Sequence, residues 1–443
     1  MIYRIARLLW RAALLVFFRR IEVEGVEHVP PSGPLMLVPN HPNAMVDPLV
    51  VLIHLDRPVT ITAKSTFANM TILRPFMRAL HVVTFHRAQD KGEGVKTMGN
   101  RATLAVCRER LAEGAALCIF PEGQSHTDAR LRPFKHGAAS IAVDYVRRDG
   151  NPGRLQVVPV GLAFEEKDQW RSSVVVRFGE PIDVEAWLDA HPESKAREFT
   201  TEIERRVEAL TLNAERRRQV FALTWAAEVL QRATPHESYA ERLALTQTLR
   251  DGYERLREAR GEELSALGRA IRAYRSKLRR LGVLPGEVFV PITLGRAISF
   301  TARQLPVLLI GSPIYLWGWL NHLPAYLVVR AIARRRAQAK DQWASWTVYP
   351  GLFVFPICYA LQVAAAWLLL SWPLALAYTV TLPLSGWFAV AFGDRVTEVW
   401  RRVRTFLRFA LHRELQKSLT LEADGITREV ERLSADLAPA PAA

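Results

Sequence analysis

A histidine and an aspartate stand six positions apart in the stretch Leu37-Val38-Pro39-Asn40-His41-Pro42-Asn43-Ala44-Met45-Val46-Asp47-Pro48. An imidazole takes up a proton near neutral pH, so His41 is the candidate general base. A carboxylate beside it, Asp47, holds the tautomer and stabilises the imidazolium. Taken alone the pair is a weak pattern, equally open to an ordinary loop histidine and a helix-surface aspartate. The local chemistry favours a particular placement. The apolar run Leu35 to Val38 breaks at Pro39, and Pro42 pushes His41 out of helical geometry while being able to open a helix. His41 is therefore expected at the mouth of a strand. Asp47 follows about one and a half turns later if a helix begins there.

Further charged and flexible residues follow downstream. Arg87, in Phe85-His86-Arg87, offers a planar guanidinium that matches phosphate oxygens; its alternative is a surface arginine paired with Asp90. Glu122 follows an apolar run and precedes Gly123, which places it in a tight turn. A carboxylate there either hydrogen-bonds a hydroxyl or stabilises the turn, and Gly123 lets backbone approach a ligand closely. Ser125 extends this motif as a candidate phosphate contact. Lys64 and Lys135 are candidates for the same basic wall. His86, His126 and His136 lack close ligand spacing and cysteine companions, so no metal site is expected. No Gly-rich phosphate loop of the nucleotide-hydrolase kind occurs.

Four stretches, in this order and at these separations, resemble the four blocks of the glycerophosphate and lysophosphatidate acyltransferase superfamily. They are the His41–Asp47 stretch, Phe85-His86-Arg87, Phe120-Pro121-Glu122-Gly123 and Val157-Val158-Pro159-Val160-Gly161. The resemblance covers about residues 21–184. Five residues, Pro42 to Val46, separate His41 from Asp47 where the commoner pattern has four. That form resembles the subset acting on glycerol phosphate or dihydroxyacetone phosphate. His81 stands where the second block often carries glycine.

The resemblance implies that His41 acts directly on an acceptor hydroxyl, without an acyl-enzyme. It also implies that Arg87 binds the acceptor's phosphate and that Glu122 hydrogen-bonds an acceptor hydroxyl. Lys135, in Pro133-Phe134-Lys135-His136-Gly137, resembles the lysine downstream of the third block. The implied activity moves a fatty acyl group from acyl-CoA or acyl-carrier protein. The acceptor is a hydroxyl of glycerol 3-phosphate, dihydroxyacetone phosphate or lysophosphatidate. No cofactor is expected beyond the acyl donor. The competing expectation is a non-catalytic phospholipid-binding membrane protein with an acyltransferase-like pocket.

The elements that must position these residues alternate over residues 21–184. Strands are predicted at 34–39, 58–63, 81–85, 116–120, 155–162 and 174–178, and helices at 44–54, 67–79, 94–113 and 136–147. The pattern is α/β, a mixed and largely parallel sheet flanked by helices. Sites in such sheets form beyond the carboxyl ends of strands, and His41, Arg87 and Glu122 each fall just after one.

The chain has 443 residues, 49% of them hydrophobic, and a net charge of +15. That charge implies a polyanionic partner, whether nucleic acid, anionic lipid or phosphorylated substrate. The basic residues cluster beside apolar spans, without aromatic base-stacking motifs, which points to an anionic lipid membrane and away from nucleic acid. The three cysteines, Cys107, Cys118 and Cys358, suggest no disulfide framework. Residues 1–20 read as a basic amphipathic helix, lying in a lipid interface or packed on the catalytic domain. Residues 185–285 read as charged amphipathic helices without legible chemistry. Residues 286–405 carry the membrane signal, with a helical hairpin at 348–393. Arginine clusters flank that hairpin on both sides. The positive-inside rule then places the catalytic domain on the cytoplasmic face only if the apolar stretch 305–329 dips in and returns, or lies in the interface. The alternative for all these segments is a buried soluble core. A charged helix and a disordered Ala/Pro tail are expected over 406–443.

Overall fold

The computed structural model describes residues 2–64, 83–85, 98–148, 153–213, 217–232 and 238–435. The helix expected at 67–79, Arg87 and the Ala/Pro tail lie outside the described residues. The chain divides into two units, one of residues 1–213 and 332–350, the other of residues 214–331 and 351–443.

The first unit is built on a mixed sheet. Its strands are β1 (Arg20–Glu24), β2 (Leu35–Pro39), β3 (Val59–Lys64), β4 (Val83–Phe85), β5 (Ala116–Cys118), β6 (Gln156–Phe164), β7 (Ser173–Phe178) and β8 (Ile182–Asp183). Their order is β1-β7-β6-β2-β5-β3-β4, with β8 beside β6. Strand β2 is central and runs parallel to β5 and β6, with Leu35 opposite both Ala116 and Gln156. Among the described residues, β7 and β8 run antiparallel to β6 and the other strand pairs are parallel. All five residues of β2 and all six of β7 are buried, as strands covered on both faces require. Strand β1 was not anticipated. It is short, pairs only with β7, and follows directly on an apolar helix that masks its Ile21/Val23 alternation.

Helices α1 (Ile2–Phe17), α2 (Val46–Leu52), α3 (Met98–Ala112), α4 (Gly137–Val146), α5 (Val184–Ala190) and α6 (Ala196–Leu210) complete this part of the chain. Met36, Val38, Leu117 and Val157 of the sheet share a core with Leu111, Ala138, Ala142, Phe199 and Val207 of the helices. Gly161 of β6 lies so close to the backbone of Leu210 that any side chain there would collide with α6. Helix α1 buries Ala6, Trp10, Leu14 and Phe17 at helical spacing, while Ile5, Leu8 and Leu9 stay exposed.

In the second unit, α7 (Arg217–Leu230), α8 (Tyr239–Leu256) and α9 (Gly261–Leu281) follow as the charged helices. The Ser238 hydroxyl accepts from the Glu241 N–H and caps α8. Ile271, Tyr274 and Leu278 of α9 pack with Leu419, Ala423 and Ile426 of α13 (Arg413–Ala435).

Between these lie α10 (Leu294–Arg336), α11 (Lys340–Leu369) and α12 (Trp372–Leu411), each long and apolar enough to cross a membrane. Helix α10 runs unbroken through Pro306, Pro313 and Pro324. Of the two forms expected for residues 305–329, the re-entrant one needs a turn that α10 lacks, and the interfacial one is compatible with an unbroken helix. The side chains of Ser312 and Asn321 donate to the carbonyls of Leu308 and Trp317, each one turn back along the helix. The break at Ser371-Trp372-Pro373 falls where α12 opens, with proline in its first turn.

Candidate active site

Strand β2 delivers His41 to the rim of the sheet. Asn40 fixes the exit. Its side chain accepts from the Leu162 N–H at 2.7 Å and donates to the Leu162 carbonyl at 3.1 Å, in the manner of one more ladder pair with β6. The chain then leaves the sheet, and α2 begins at Val46. Asp47 sits in the first turn of α2 with no exposed surface.

The His41 Nδ1 lies 2.8 Å from Asp47 Oδ2. The same oxygen accepts the Asn43 N–H at 2.7 Å. A carboxylate only accepts, so Nδ1 carries the proton and Nε2 presents its lone pair. Nε2 has no hydrogen-bond partner among the described residues. The imidazole stacks on Phe120, with centroids 4.3 Å apart, and its side chain retains 14% exposure. Burial lifts the Asp47 carboxyl above its ordinary range, and the hydrogen bond from His41 is the foremost influence pulling it back. Burial, followed by the Asp47 charge, also pushes the nearby Cys118 thiol well up, so it is no thiolate nucleophile.

Glu122 ties the third block to the first. Its Oε1 accepts the His41 N–H at 2.9 Å, and its Oε2 meets His126 Nε2 in a short contact. His126 Nδ1 in turn accepts the Asp128 N–H at 3.1 Å, which leaves Nε2 as the donor to Glu122. The His126 N–H donates to the His41 carbonyl at 3.2 Å. The Glu122 side chain has no exposed surface. Each Glu122 oxygen thus meets one donor inside the protein, and the side chain braces the His41 loop. The role toward an acceptor hydroxyl implied by the resemblance stays a proposal.

Gly123 turns the chain with φ +75°, and the aliphatic stem and amine of Lys135 lie directly against its Cα. Lys135 itself is exposed, beside the turn. The Ser125 hydroxyl donates to Asp341 Oδ2 at 2.6 Å, so it is engaged within the protein where a phosphate contact was expected. Lys64 closes β3, its Cα opposite Phe85. Arg87 lies outside the described residues.

Sequence reasoning missed several participants. Asn43 contributes through its backbone, which no side-chain pattern reveals. His126 was weighed only as a metal ligand, although its spacing of four from Glu122 within one turn was a usable signal. Asp341, Ser345 and Tyr349 are 216 to 304 positions from their partners, beyond any local motif.

Residues 20–163 match the family model described as Acyltransferase. An uncharacterized acyltransferase of Schizosaccharomyces pombe is 21% identical over 89% of this chain and 75% of its own length. A 1-acyl-sn-glycerol-3-phosphate acyltransferase of Chlamydomonas reinhardtii is 31% identical over 35% of this chain and 42% of its own. A glycerol-3-phosphate O-acyltransferase of Saccharomyces cerevisiae is 23% identical over 59% and 37% respectively. The chain thus spans less than half the length of the two relatives named for a reaction. The matched stretch encloses β2, the His41–Asp47 pair and the Glu122 turn, and over it the chain carries an acyltransferase domain similar to those of glycerol-3-phosphate and 1-acylglycerol-3-phosphate acyltransferases.

Proposed function

We propose that the protein is a membrane-bound enzyme moving a fatty acyl group from a thioester, acyl-CoA or acyl-carrier protein, to a hydroxyl of a glycerol-phosphate acceptor. The observation that carries this is the anchored imidazole. Nδ1 is held by a buried carboxylate, and Nε2 is left open at the rim of the sheet. In the proposed reaction the acceptor hydroxyl gives its proton to His41 Nε2 as its oxygen attacks the thioester carbonyl. The Asp47 carboxylate stabilises the imidazolium so formed. The tetrahedral intermediate collapses, the C–S bond breaks, and the thiolate takes the proton back from Nε2. No residue is acylated. By the resemblance, Arg87 binds the acceptor phosphate, with Lys64 and Lys135 adding positive charge. The named relatives act on glycerol 3-phosphate and 1-acylglycerol 3-phosphate, and these, with dihydroxyacetone phosphate, are the proposed acceptors.

Three long apolar helices support membrane attachment. Arg334, Arg335, Arg336 and Lys340 belong to the unit that holds His41. The positive-inside rule therefore favours a catalytic unit on the cytoplasmic face. The test is transfer of a radiolabelled acyl group in membranes containing the protein, with each of the three acceptors. One acceptor is expected to give phospholipid product, and His41→Ala to abolish it while the protein stays membrane-bound. Turnover at the wild-type rate in His41→Ala refutes the mechanism.

A further inference from the structure

Helix α11 opens with a polar stripe on an otherwise apolar element. Asp341, Ser345 and Tyr349 recur every four residues, so one face carries all three. Asp341 and Ser345 are buried. All three belong to the same unit as the catalytic residues. Asp341 accepts the hydroxyl of Ser125, three residues beyond Glu122. The Ser345 Oγ accepts the Met45 N–H at 3.1 Å, and the Tyr349 hydroxyl donates to the Met45 carbonyl at 3.0 Å. The Tyr349 ring packs on Trp10 of α1 with centroids 4.7 Å apart, and Lys340 pairs with Asp168 at 3.1 Å.

Met45 lies between His41 and Asp47, and its neighbour Ala44 has φ +47°. That conformation is disfavoured for any residue with a Cβ. It lets five residues span the interval between base and carboxylate. Something must hold the strained turn, and the Met45 peptide is gripped on both its polar groups from outside the acyltransferase fold.

We propose that the first three turns of α11 belong to the catalytic apparatus, with Ser345 and Tyr349 as positioning residues that lock the His41–Asp47 loop, and Asp341 doing the same for the Glu122 turn. The helix that enters the membrane thereby sets the geometry of the base. This rests on the role proposed for His41.

The experiment uses the full chain in lipid nanodiscs, with Ser345→Ala, Tyr349→Phe and the double variant. Each lost hydrogen bond lowers kcat roughly fivefold and the pair roughly 25-fold, with KM for both substrates unchanged, because neither side chain touches substrate. Adding Ala44→Gly to the double variant recovers several-fold of the lost kcat, since glycine adopts the left-handed turn without penalty. A scaffold defect would not respond to that change. Hydrogen exchange in the peptide 43–47 supplies a readout independent of turnover, and the double variant exchanges the Met45 amide at least tenfold faster. Unchanged exchange overturns the lock. Faster exchange with unchanged kcat, or a kcat loss that Ala44→Gly does not relieve, overturns the positioning role. A wild-type protein whose transfer ignores His41→Ala overturns the catalytic reading instead, whatever the exchange shows.

Discussion

Replacing Asp47 by asparagine separates what its charge does from what its shape does. In many histidine–aspartate pairs this change lets the amide nitrogen face the imidazole, the wrong tautomer takes over, and the loss reaches about 10⁴-fold. Here the loop forbids that rotation. Oδ2 accepts two N–H groups, from His41 Nδ1 and from the Asn43 backbone, at 2.8 and 2.7 Å. An amide nitrogen at that point would face the fixed Asn43 N–H. The asparagine oxygen must therefore take the Oδ2 position, and the nitrogen goes to the buried Oδ1 side, where the described residues offer no hydrogen-bond partner. That unpaired amide costs stability, about 1–3 kcal/mol, but both hydrogen bonds to Oδ2 and the tautomer survive, and what catalysis loses is the carboxylate's extra hold on the imidazolium. A charge-assisted bond exceeds a neutral one by about 1–2 kcal/mol. With a further Coulomb contribution at this depth, the loss in kcat is roughly 10- to 100-fold. Asp47→Ala removes both acceptors and frees the tautomer, so its kcat falls at least about tenfold further. KM stays near wild type in both variants, because Asp47 has no exposed surface with which to touch substrate. Steady-state kinetics of the pair decide the matter. If asparagine proves as damaging as alanine, the Asn43 N–H does not pin the amide; if either variant keeps full activity, Asp47 does not serve the base.

Glu122→Gln is expected to be far from conservative. Its amide nitrogen would oppose the His126 Nε2–H, whose tautomer is fixed by the Asp128 N–H, so a donor meets a donor. A stability loss of about 1–3 kcal/mol and loss of turnover follow, measured by thermal unfolding and acyl transfer; an unchanged melting temperature would count against the strut. Gly123→Ala must adopt φ +75° at a cost of about 1–2 kcal/mol and drives its Cβ into the Lys135 side chain. Its KM for the phosphorylated acceptor should rise in step with that of Lys135→Ala, and a change in kcat alone would remove Lys135 from the basic wall. Burial, with Arg11 next, pulls His54 down to about 4. The unfolded chain then binds more protons than the folded one between about pH 6.5 and 4, so stability is lost as pH falls through that window, by at most about 3 kcal/mol. His54→Leu should flatten the fall in melting temperature between pH 7 and 4.5, and an unaltered slope would reject the assignment.

What could be read from the chain followed the reach of its interactions. Strands β2, β6 and β7 announced themselves as continuous apolar runs because both faces are covered, and their observed bounds fall within two residues of expectation. The His41–Asp47 contact was legible because proline and an incipient helix fix the intervening turn locally. Sequence shows Glu122 as a carboxylate in a turn, but only the folded sheet brings the third block beneath the His41 backbone and gives each oxygen a donor there. At 305–329 the prolines read as breaks, as they would in water, yet Pro306, Pro313 and Pro324 lie inside one continuous apolar helix.

Residues 332–350 are part of the same unit as His41, joined to it through Met45, Ser125 and Asp168. The basic cluster at Arg334–Arg336 and Lys340 therefore goes with the catalytic residues. The candidate spans among the described residues all lie from Leu294 onward, so the chain reaches α10 without a crossing and both ends of α10 are expected on one face; a helix lying in the interface over 305–329 meets that condition. The five-residue interval, which looked like a departure to be accommodated within the loop, is met from outside by a helix roughly 300 positions away, at a backbone conformation that alanine avoids unless held.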